Sequence, residues 1–141
     1  MPRLFRAMKE GAEGLPEEGE NARALGIRPG IDVPAGKPEE GVRPGQGGLS
    51  VSPDNPLNLP VFRRPPEFQG VGKDPVWTIT AAELGPDLCY CPDPASAGHG
   101  FIEPARPMTL GDYQRALART RSLWRRASPE IVQRSDSDAT G

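Results

Sequence analysis

The chain has 141 residues, enough for one domain with a small core, and its 18 prolines and 17 glycines make up about a quarter of it, so much of it must be loop. A net charge of -2, from 17 basic and 19 acidic residues, excludes a general affinity for nucleic acid or an anionic membrane surface. No apolar run approaches the roughly 20 residues that span a bilayer, and none at the start has signal-peptide length, so a soluble cytoplasmic protein is expected.

The charge is uneven. Glu10 to Glu40 holds eight acidic and three basic residues, whereas Ala105 to Arg126 holds six arginines against the single Asp112. In chain order, Leu4 to Met8 is an apolar run of strand length with Arg6 embedded in it. A charged residue there is either solvated at a sheet edge or turned toward a cleft, where its planar fork of donors suits an anion. The Gly- and Pro-rich segment from Gly11 to Gly48 predicts loops around one short helix at Asn21 to Leu25, closed by Gly26. A connection this long either wraps the sheet or carries function.

Leu49-Ser50-Val51-Ser52 alternates, so Ser50 and Ser52 share a face and offer two hydroxyls to a ligand or to solvent. The proline-rich stretch Asn55 to Pro66 predicts an extended surface crossing that leaves Arg63 and Arg64 in solvent. Val76 to Ile79 reads as a strand, Thr80 to Gly85 as one capped turn, and Leu88 to Cys91 as another strand. Cys89 and Cys91 are too few and too close for a disulfide framework and are expected as reduced packing residues, with no metal site.

His99, the only histidine, begins a run in which His99, Phe101 and Glu103 share one strand face while Ile102 takes the other. Pro104 and Pro107 stop that strand and are expected to leave the Glu103 carboxylate at a mouth. A helix is predicted over Thr109 to Arg126, started by Thr109 and Asp112, with Leu110, Tyr113, Leu117 and Trp124 on its apolar side and a basic outer face. One domain over residues 1–127 is therefore expected, and the polar stretch 128–141, with nothing to bury, is expected to be a disordered tail.

Leu4-Phe5-Arg6, Gly47-Gly48-Leu49-Ser50-Val51-Ser52-Pro53-Asp54, Val76-Trp77-Thr78-Ile79 and the run from His99 through Ile102, Pro104 and Pro107 to Met108 occur here in an order that resembles a known family. It is the small exported-effector toxin family of type VI secretion systems, whose fold is similar to ADP-ribosyltransferases. The resemblance implies an α+β fold with split, mostly antiparallel β-sheets, flanking helices and NAD, as substrate, in the cleft between the sheets. It implies that Arg6 contacts the dinucleotide, that Ser50 and Ser52 support the nicotinamide ribose, and that Glu103 stabilises the cation formed as nicotinamide leaves. Phe101 replaces the usual second Glu or Gln and joins the cofactor-binding set, while His99 competes with Glu103 as the catalytic group. The function implied is an NAD-dependent ADP-ribosyltransferase or NAD glycohydrolase, exported into a target cell's cytoplasm, acting on an unknown macromolecular acceptor or water and restrained by a cognate immunity protein. The alternative is a non-catalytic module that uses the same fold to bind a protein.

Overall fold

A computed structural model describes residues 2–130, so of the tail expected from residue 128, residues 131–141 lie outside the described residues. The strands are β1 Arg3–Ala7, β2 Gly41–Val42, β3 Leu49–Pro53, β4 Val76–Thr80, β5 Leu88–Pro92, β6 Gly100–Pro104, β7 Met108–Thr109 and β8 Arg125–Arg126, and the α-helix α1 is Leu110–Arg119. Six strands form one sheet in the order β5-β6-β3-β1-β4-β8, while β2 and β7 form a separate pair. Every paired strand is antiparallel, so the protein is α+β.

Period-two alternation explains the layers. Leu4, Leu49, Val51, Trp77, Ile79, Leu88 and Ile102 belong to one buried cluster, covered by Leu110, Tyr113, Ala116 and Leu117 of α1 and by Trp124. Each such side chain contributes roughly 1.5–3 kcal/mol by leaving water. Phe5 and Val76 face the other way and join Leu59 and Phe68 in a smaller cluster.

Tyr113 ties α1 into the sheet. Its hydroxyl accepts from the Leu49 amide at 3.1 Å and donates to the Ile102 carbonyl, bridging the paired residues Leu49 and Ile102 of β3 and β6. Room for it exists because residue 48 is glycine; a Cβ there would come within 2.6 Å of the Tyr113 oxygen and 2.5 Å of the Ile102 oxygen. Burial pushes the Tyr113 phenol upward, so it remains a hydroxyl throughout the physiological range.

The helix is shorter than its sequence pattern. It starts as expected, with the Thr109 side chain accepting from the Asp112 amide at 3.1 Å, but ends at Arg119. The Thr120 hydroxyl donates to the Leu117 carbonyl and accepts from the Trp124 indole, which turns the chain into β8 along the edge of β4. A strand of two arginines suits an exposed edge, because charged side chains discourage further pairing. Nor do residues 21–25 form a helix. The carbonyls of Ala22, Arg23 and Ala24 accept from Arg6 and Lys9, so they are satisfied by distant donors instead of by their own amides four residues on. The turn at Ala81–Glu83 forms as its sequence predicts, with Thr80 and Glu83 making reciprocal capping bonds.

The basic outer face expected behind is largely neutralised within the chain. Arg106 and Arg119 both reach Asp87, Arg115 pairs with Asp112, Arg125 with Glu83, and Arg126 with Glu10 while lying over the Trp77 ring. Arg121 donates to the carbonyls of Pro16 and Ala12.

Replacing Tyr113 by Phe strands a buried amide and a buried carbonyl, each costing about 1–3 kcal/mol when unsatisfied. Urea unfolding of Tyr113→Phe is expected to show a loss of about 2–4 kcal/mol. A loss below about 0.5 kcal/mol would mean that the β3–β6 ladder closes on its own.

Candidate functional site

The site begins where two strands part. β1 pairs with β3 only at Leu4–Pro53 and Phe5–Ser52, although it continues alongside β4 as far as Ala7–Val76. Past Phe5 the Arg6 guanidinium spans the gap. Its Nη1 donates to the Ser50 carbonyl at 2.9 Å, its Nη2 to Ala24 at 2.9 Å and Ala22 at 3.3 Å, and its Nε to Ala24 at 3.3 Å. Four of the five N–H groups are thereby engaged, all by neutral carbonyls, and one on Nη1 is left over.

Arg6 is only 8% exposed and makes no salt bridge among the described residues. Burial lowers its guanidinium to about 10, with Asp32 opposing that shift and Arg63 and Arg28 adding to it. It remains charged at neutral pH, so the gap carries a positive potential without a bonded counter-charge.

A pocket of about 180 Å³ opens there, lined by Arg6, Ser50, Ser52 and His99 together with Arg28, Asp32 and Arg63. Residues distant in sequence thus meet at one place. Neither serine hydroxyl makes a hydrogen bond among the described residues; Ser50 is half-buried, whereas Ser52 is 1% exposed. Arg28 is matched by Asp32 at 2.9 Å, whereas Arg63 has no carboxylate partner among the described residues and reaches only the Ala22 carbonyl at 3.4 Å.

His99 lies just before β6, in the turn from β5. Its Nδ1 is 2.8 Å from Oδ2 of Asp93, and the Asp93 amide donates to the His99 carbonyl, so the turn's backbone holds the pair in register. The hydrogen bond from His99 keeps the Asp93 carboxyl below its ordinary range, with the Ala95 amide adding to the effect. An Nδ1–H donated to a carboxylate leaves Nε2 as the free, basic nitrogen. The Phe101 ring meets the imidazole edge to face, with centroids 4.8 Å apart.

Glu103 is not in the pocket lining. It shares the sheet face of Ser50 and Phe101 one step further along, and is 5% exposed because the loop before β3 folds over it: the Gly45 amide donates to its carboxylate at 3.0 Å. The mouth expected from Pro104 is absent because β6 continues through it. At that point β6 has β5 alone beside it, with Pro104 opposite Leu88, and a strand flanked on one side tolerates the missing N–H. On β5, Cys89 stands opposite Glu103, and the two sulfurs are free and 3.6 Å apart. Burial, then the Glu103 carboxylate and Cys89 beside it, push the Cys91 thiol up to about 12. No cluster of three or more metal-ligating side chains occurs among the described residues, and no helix there is long and apolar enough to cross a membrane.

Four pocket or support residues escape the sequence patterns: Arg28, Asp32, Arg63 and Asp93. Only Asp93 leaves a local trace, as an aspartate opening a turn that closes on the sole histidine six residues later. Arg63 reaches the pocket because residues 56–68 fold into short 3-10 turns at Pro56–Asn58 and Pro66–Phe68, not an extended crossing. Comparison of the chain with known protein families, with curated proteins and with solved structures returns no match.

Asp93 titrates lower when folded than its ordinary 3.8, so its contribution to stability is present above that pH and is lost as pH falls through the folded value. In thermal unfolding, wild type and Asp93→Asn should differ in Tm at pH 6, and the difference should shrink as pH falls through and below the ordinary range of an aspartate carboxyl. A gap that stays constant with pH would show that the carboxylate charge contributes nothing.

Proposed function

We propose that the chain cleaves NAD at the nicotinamide–ribose bond and passes on the ADP-ribose, as a bacterial toxin of ADP-ribosyltransferase type. The observation that carries this reading is the meeting of Arg6, a buried cation with no carboxylate bonded to it among the described residues, with Ser50, Ser52 and His99 around one pocket. A diphosphate supplies the anion that Arg6 and Arg63 lack. The two free hydroxyls suit the hydroxyl-rich ribose. The pocket's volume is below the roughly 300–1,000 Å³ of sites that enclose a whole small molecule, so it takes one end of the dinucleotide and leaves the remainder over the open side.

In the chemical step the ribosyl C1′–N bond breaks, its electron pair leaves with nicotinamide, and positive charge develops on the ribosyl ring. An acceptor, a macromolecular nucleophile or water, attacks C1′ and gives its proton to His99 Nε2, which Asp93 holds in the basic tautomer. Glu103 supplies negative charge from one step further along the face of Ser50 and Phe101, outside the pocket lining, and so assists less than a carboxylate in the lining would. Export into a target cell and restraint by an immunity protein belong to the same proposal.

Incubation with NAD, with release of free nicotinamide measured by chromatography, tests it. His99→Ala should slow release on the order of a hundredfold or more, the usual weight of a positioned general base. Glu103→Gln should stay within about tenfold, as befits charge acting at a distance. Arg63→Ala should chiefly raise KM, because it removes a phosphate contact without disturbing the Arg6 bonds. If wild type neither binds NAD nor releases nicotinamide, the pocket is not catalytic and the protein-binding alternative takes its place.

A further inference from the structure

We infer that the loop over residues 60–73 is a docking site for a protein segment that combines apolar with acidic side chains. Three of the four exposed large hydrophobic residues among the described residues lie on this loop: Val61 at 51%, Phe62 at 63% and Val71 at 80% exposed. Scattered single apolar residues on a surface are ordinary, but a group on one loop marks a contact surface.

The loop is pinned. The Val71 amide donates to the Val61 carbonyl at 3.0 Å and the Gly72 amide to the Arg64 carbonyl at 2.7 Å, while Phe68 is buried beneath at 1% exposure. Gly70 allows this crossing, since a Cβ on it would collide with the Arg64 carbonyl and side chain. The exposed side chains are thus presented by a fixed backbone, which lowers the ordering entropy a partner must overcome.

Charge selects the partner. A groove of about 230 Å³ is lined by Phe62 and Val71 together with Arg23, Arg63, Lys73 and Asp74. Asp74 is fully engaged by Arg23 through two bonds of 2.7 Å. Arg63 and Lys73 make no salt bridge among the described residues, so the groove presents two cations beside its apolar wall. The Arg63 guanidinium lies over the Phe62 ring, 5.3 Å from its centroid. An exposed aromatic flanked by arginine is the usual anchor of a protein contact. Single-stranded nucleic acid would draw no benefit from Val61 and Val71, and two cations fall short of the four to eight that hold a chain to an anionic membrane.

Arg63 also lines the Arg6 pocket, so a docked segment would border the site mouth, yet the inference does not depend on NAD chemistry. The test is selection of a phage-displayed random peptide library on the full chain. Selected sequences are then made synthetically and their binding measured by fluorescence anisotropy. The expected winners place Leu, Phe or Trp within a few residues of Asp or Glu. Their affinity should fall at least tenfold with Phe62→Ser/Val71→Ser, and severalfold both with Lys73→Glu and on raising salt. Because the substituted side chains are exposed, Tm should not change, and Lys73→Glu alone decides the matter if the double variant is unstable. Winners without acidic residues, or binding indifferent to both variants, would overturn the proposal. So would a twelve-nucleotide oligothymidylate or phosphatidylserine vesicles that bind through Phe62 and Lys73 while no peptide does.

Discussion

Beyond Phe5, where β1 no longer pairs with β3, the guanidinium of Arg6 takes over the work of a hydrogen-bonded ladder, joining β1 to the Ser50 carbonyl of β3 and to the 22–24 loop. A flat fork with five donors is suited to this role, because it satisfies several carbonyls that approach from different elements. The cost is a desolvated charge bonded only to carbonyl dipoles, with Asp32 acting on it from across the pocket, and burial brings its pKa down to about 10. The pocket and its potential both follow from that arrangement. A neutral residue at this point would close the gap or leave its carbonyls without donors, and in neither case would an anion be attracted.

Electrostatics divides the molecule into two regions with different uses. On the α1 side, cations meet partners of the same chain: Arg126 holds Glu10, and Arg121 holds the carbonyls of Ala12 and Pro16, so the acidic front of the sequence is fastened to its basic back. Exposed pairs of this kind contribute little each, but they settle where a long loop lies. On the pocket side, Arg6, Arg63 and Lys73 make no salt bridge among the described residues. That asymmetry leaves the unmatched positive charge near the parting of β1 and β3.

The geometry of His99 and Glu103 illustrates how one strand face can distribute roles. Phe101 and Glu103 do share a face, but the loop that ends at Gly48 must pass over Glu103 to enter β3, and the Gly45 amide settles on its carboxylate. His99, outside the strand, escapes that cover and is oriented by Asp93. Proximity in sequence thus says little about which of the two a ligand can reach.

Periodicity in the sequence was sufficient to place β1, β3, β4, β5 and β6 to within a residue or so, to choose the faces of Leu49, Val51 and Ile102, and to set the start of α1 at Thr109. Those features depend on local propensity, alternation and capping, which act over a few residues. The end of α1, the lost helix at Asn21 to Leu25, the cover over Glu103 and the arrival of Arg28, Asp32 and Arg63 at the pocket were decided by tertiary structure. In each case a backbone group or charge found its partner tens of residues away: Ala24 in Arg6, Glu103 in Gly45. A buried polar group must be satisfied by whatever the fold brings to it, and no local pattern records which distant donor that will be.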